Sequence, residues 1–223
     1  MRRRADLFHS SARTFYLRYW FDVPPINVLL TLHGLVFTAW FALFIVQTRL
    51  IAANNVRAHM QLGVAGVVLA ILVIIVSIIT TVESASAPRL RPMGMNSQQF
   101  AFVPFFQVLM FTSLFGTAVA MRRKPQFHRR LMTLAMVALL GPPVARILLV
   151  SGFSNHFLLA QTLVPALFVG GCLVYDWVKS RIVHPVYAWG FLLLTVTWPI
   201  RVWVAQTPQW EQVGRWLAGM PPA

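Results

Sequence analysis

Acidic residues are almost absent from this chain: five Asp and Glu stand against 19 Lys and Arg, for a formal net charge of +14. Charge of either sign is sparse, at 11% of residues, where a soluble domain carries about 25%. A chain so poor in polar groups cannot cover its own surface in water, and its mean hydropathy of +0.68 turns it towards lipid. Cysteine occurs once, at Cys172, which excludes an internal disulfide and reads as a small core residue. Residues 1–25 contain MRRR but no uninterrupted apolar run followed by small residues, so a cleaved signal peptide is not expected. No DNA- or RNA-binding motif accompanies the basic excess. Nucleic acid is therefore set aside as a partner, and anionic lipid headgroups take its place.

What the chain does have is length of apolar run, with 58% of its 223 residues hydrophobic. Crossing a bilayer takes about 20 mainly apolar residues, and in lipid every backbone polar group must be paired internally. The runs are continuous rather than alternating, so the expected fold is an all-α integral membrane bundle of about six transmembrane helices in three hairpins. The spans read as Asn27 to Ala52, Met60 to Val82, Gln99 to Met121, Arg130 to Val150, Phe157 to Val178 and Val186 to Ala205. Gly141-Pro142-Pro143 should kink the fourth. Residues 1–25, with RTFYLRYWF, suit a basic and aromatic segment along the membrane interface; 26–205 form the transmembrane domain; 206–223 read as a short C-terminal tail. Cations divide nearly evenly between the two faces, so the positive-inside bias leaves orientation open.

Titratable residues are distributed less evenly. His59, His128 and His184 open the second, fourth and sixth spans, which all begin on one face. Asp176 and Gln47 close the fifth and first spans on that same face. The result is a layer of three imidazoles, a carboxylate and an amide among arginines, centred on RKPQFHRRLM around His128. The other face holds a sparser set: His33, Glu83, Arg146, Asn155-His156 and Arg201. Arginines within a span need a partner, and Glu83 or a bound anion is the expected one for Arg146 and Arg201.

Imidazoles at matching depth suit haem b, with His59 and His128 as axial ligands, or His33 with His156, and with neighbouring arginines for the propionates. That chemistry means redox work and an electron-transfer partner. The alternative cofactor is a transition metal (zinc, iron or copper) held by His59, His128, His184 and Asp176, although no HExxH pattern supports it. A third reading is an accessory or assembly subunit of a membrane complex, its polar layers serving only to lock helix packing. Three hairpins of one orientation are not an inverted repeat, which counts against a transporter.

At HGLVFTAWFALFIVQTRL, RAHMQLGVAGVVLA, FHRRLM and YDWVKSRIVHPVYAWG the chain resembles uncharacterised polytopic membrane proteins of proteobacteria, a family of unknown function. The likeness covers most of residues 26–205. It implies a six-span protein of the bacterial inner membrane. It marks His33, His59, His128, Asp176 and His184 as recurring features while giving none of them a role.

Overall fold

The computed structural model describes residues 27–87, 91–150 and 156–221. The interfacial reading of residues 1–25, together with Asn155, falls outside them. Every regular element among the described residues is helical. Helix α1 (Val28–Ala52) starts where the Asn27 side chain accepts from the backbone N–H of Leu29 at 2.6 Å and of Leu30 at 3.3 Å. Helix α2 (Val56–Ser86) begins a turn earlier than the hydropathy implies. Asn55 Oδ1 caps it from the N–H of Ala58 at 3.1 Å, so polar residues ahead of the apolar run are drawn into the helix.

A 3-10 turn at Pro92–Gly94 follows, with Met93 at φ 64°. The Asn96–Gln99 capping box then opens a short α3 (Ser97–Phe100), and α4 (Phe102–Ala120) carries the chain across Ala101. The fourth apolar run is divided into α5 (Pro125–Ala138) and α6 (Gly141–Val150), which meet at Leu139-Leu140. The prolines after Gly141 have no N–H to continue the ladder. Helix α7 (Phe157–Ser180) ends on Arg181 in the left-handed region at φ 55°. Helix α8 (Pro185–Ala205) starts on His184, whose ring accepts from the N–H of Val186 at 3.3 Å.

The expected tail, 206–223, contains a further helix, α9 (Pro208–Leu217), capped by Thr207. The indole of Trp210 donates to the carbonyl of Gln98 at 3.1 Å, and Glu211 accepts from Asn96 at 2.9 Å and Gln99 at 3.2 Å. Those three contacts dock α9 against α3.

Five stretches are long and apolar enough to cross a membrane: Val28–Ala52, Val56–Ser86, Ser97–Ala120, Phe157–Ser180 and Pro185–Ala205. The sixth expected span is the broken pair α5 and α6. The fold is thus an all-α membrane bundle. Leu, Ile and Val side chains stand exposed along α1 and α2, as a lipid-facing surface requires.

By contact the chain forms two compact units, one ending at Thr81 and one beginning at Val82. The first is the α1–α2 hairpin. In the second, α4 packs along α5 and α7 along α8, while α8 also meets α4 and α5. Gly190 is required there, because a methyl group at that position would overlap the buried side chain of Leu134.

Candidate functional site

The break between α5 and α6 leaves backbone carbonyls without helical partners, which is costly in an apolar bundle. Two buried amides lie at the break. Gln107 of α4 donates to the carbonyl of Ala138 at 2.9 Å, and Gln161 of α7 donates to that of Gly141 at 2.8 Å. A Cβ at Gly141 would lie 3.0 Å from the Gln107 amide, so glycine lets that amide approach. The break leaves α5 as a separate, short helix whose polar first turn lies against α7 and α8.

On that turn sits Arg130, and from the end of α7 comes Asp176. Arg130 Nε donates to Asp176 Oδ2 at 2.9 Å and Nη2 to Oδ1 at 2.8 Å, with both side chains 6% exposed. A bidentate guanidinium–carboxylate fork is the strongest geometry such a pair can adopt. The remaining nitrogen, Nη1, donates to the carbonyl and side-chain oxygens of Gln126 at 2.9 and 2.7 Å. Beneath it the Tyr187 ring lies 5.5 Å from the guanidinium carbon. The Arg130–Asp176 pair was not among the sequence expectations, which set Asp176 among candidate metal ligands and the arginines around His128 against haem propionates.

His184 lies at the same end, with Phe127 edge-on to it at 4.9 Å. Partial burial lowers its pKa below the ordinary 6.5, Arg130 and Arg129 lower it further, and Asp176 opposes them. His128, adjacent to Phe127, donates from Nδ1 to the carbonyl of Ala118 at 2.7 Å. A proton fixed on Nδ1 puts the ring's lone pair on Nε2. His128, Asp176 and His184 therefore do share one end of this unit. A cleft of about 380 Å³ opens beside Asp176, lined by Gln126, Arg129, Arg130, Tyr175, Asp176, Lys179 and Ser180. Asp176 and Arg130 neutralise each other, so Arg129 and Lys179 give the cleft its net positive charge.

The α1–α2 hairpin places its own histidines at opposite ends. His33 stacks on Phe37 with centroids 4.3 Å apart and shares a 3.3 Å hydrogen bond with Thr80. At the other end, with its amide nitrogen turned towards His59, Gln47 donates to Nδ1 at 2.6 Å and accepts from the N–H of Gly63 at 3.1 Å. Thr80 lies 21 residues beyond His59 on α2, a rise of roughly 31 Å. His33 and His59 belong to one compact unit and His128, His156 and His184 to the other. His156 is exposed at the start of α7.

Among the described residues no group of three or more His, Cys, Asp or Glu side chains is placed to hold a metal ion. Asp176 spends both oxygens on Arg130. For Arg201, the first of its two expected partners drops out. No ion pair joins it to Glu83 among the described residues. It lies instead between two aromatic rings. The side chain of Arg146 is outside what the structure describes.

Comparison with known proteins adds no relative: no family model, no curated protein and no solved structure matches this chain.

Proposed function

We propose that this chain is a multi-pass protein of the bacterial inner membrane that binds an anionic cofactor, haem b for electron transfer, at the end carrying His128. The observation that carries this reading is the cationic cleft beside Arg130–Asp176, on the end of the bundle where His128 is held with its lone pair on Nε2. Arg129 and Lys179 would hold the propionates, and His128 would ligate the iron. One-electron transfer between ferrous and ferric iron is the chemistry haem b supplies when bound. His59 fits less well. With Gln47 donating into Nδ1, the imidazole proton sits on Nε2, so iron ligation there would require the amide to turn.

The test is an absorbance spectrum of protein purified from haem-replete cells, with the haem-to-protein ratio measured in variants. A Soret band that collapses in His128→Gln, and weakens in Arg129→Gln combined with Lys179→Gln, is the expected result. Full haem occupancy in His128→Gln, or no Soret band in wild type, overturns the proposal.

One observation favours a second reading, in which the polar layer locks the helices of an accessory subunit. The Arg130–Asp176 and Gln47–His59 contacts each tie two helices together through groups that are otherwise costly to place near lipid. Wild-type protein that is stable and free of haem, but is destabilised by loss of either contact, fits that alternative.

A further inference from the structure

Arg201 lies on the apolar helix α8, four residues before its end at Ala205, and is 2% exposed. The Phe106 ring of α4 and the Trp198 ring of α8 each lie 4.8 Å from its guanidinium carbon. Its one side-chain hydrogen bond runs from Nη2 to Thr197 Oγ1 at 3.1 Å, and its Nε is buried without an acceptor. The surroundings beyond Trp198 are apolar, with Phe157 edge-on to it at 6.3 Å and Val103 in the same cluster.

The described carboxylates are Glu83, Asp176 and Glu211. Asp176 serves Arg130, Glu211 serves Asn96 and Gln99, and no ion pair joins Glu83 to Arg201. A buried guanidinium with an unused N–H and no carboxylate is expensive to maintain, and a charged residue so placed in a span serves as a ligand site by default. The chemistry that completes it is an anionic oxygen, able to bridge Nε and a neighbouring nitrogen as a carboxylate or phosphate does. Aromatic flanks and apolar helices favour an oxygen carried on an acyl chain over one arriving fully hydrated.

We propose that Arg201 binds the anionic head, a carboxylate or phosphate, of a membrane amphiphile. Delipidated protein in neutral detergent is titrated with oleate, with phosphatidylglycerol and with inorganic phosphate, reading Tm and tryptophan emission, to which Trp198 contributes. An amphiphile at about a hundred times its Kd raises the wild-type Tm by roughly 5–10 °C. The arm that acts identifies the source: a fatty acid, a lipid headgroup or a free anion. Arg201→Met melts higher than wild type without ligand, because a buried unmatched charge is gone, and it gains nothing from any probe. Arg201→Lys keeps the charge but loses the fork, and binds at least about tenfold more weakly. No shift in wild type with any of the three probes, or an equal shift in Arg201→Met or Arg201→Lys, overturns the proposal.

Discussion

Two arginines are buried in the same unit of this protein, and their surroundings are opposites. Arg130 makes a two-point fork with Asp176, spends its third nitrogen on Gln126 and rests over Tyr187. Arg201 has aromatic faces on two sides, a single hydroxyl partner and a buried Nε with none. The difference lies in what each helix end can supply. Arg130 stands on the polar first turn of α5, facing the end of α7 where a carboxylate is available. Arg201 stands on an apolar span, and its neighbours are rings. A buried charge with a complete set of partners is a structural element, whereas one with an incomplete set is a demand for a ligand.

The largest effect comes from breaking the matched side of this contrast. Asp176→Asn keeps the shape but removes the charge, leaving Arg130 buried and unpaired, and should cost about 3–5 kcal/mol of stability in detergent. Combining Arg130→Met with Asp176→Leu should recover most of that loss, since removing both charges leaves no unmatched group. A melting curve of each variant checks both statements. Tyr187→Phe sharpens the comparison at the next level. It deletes the hydroxyl while keeping the ring under Arg130, so the loss should stay below about 1 kcal/mol.

The smallest expected effect is a pH dependence at His184. Its pKa is held below the ordinary 6.5, chiefly by burial and then by Arg130. The unfolded chain then binds a proton before the folded one does. Stability from this group is complete above the unfolded value and is lost as pH falls through the folded value. Wild-type Tm should fall more steeply than that of His184→Gln as the solution is acidified below 6.5. Parallel curves for the two proteins would remove His184 from the electrostatics of the Arg130 site.

Much of this organisation can be read without coordinates. Apolar runs about as long as a bilayer is thick predict the helices. Antiparallel hairpins then put the starts of alternate spans on one face, which places His128 and His184 together with Asp176. The α9 helix was legible in part: Thr207-Pro208 is a capping signal, and Trp210, Val213, Gly214 and Leu217 recur at helical spacing. Its low hydropathy hides it from a search for spans, because it docks through polar contacts rather than by crossing lipid.

Hydropathy and helical connectivity follow from the order of residues alone, since the bilayer imposes one length and internal hydrogen bonding on every span. They determine that this is a helical membrane protein and which end of its own helix carries each titratable group. They do not determine how each helix is rotated about its axis or where the fourth run breaks. Those depend on packing between residues far apart in the chain: Arg130 and Asp176 are 46 positions apart, and the Gln107 and Gln161 amides reach the break from different helices. Only the tertiary structure could pair Arg130 and leave Arg201 between two rings, because a side chain's partners are set by the faces that neighbouring helices turn towards it.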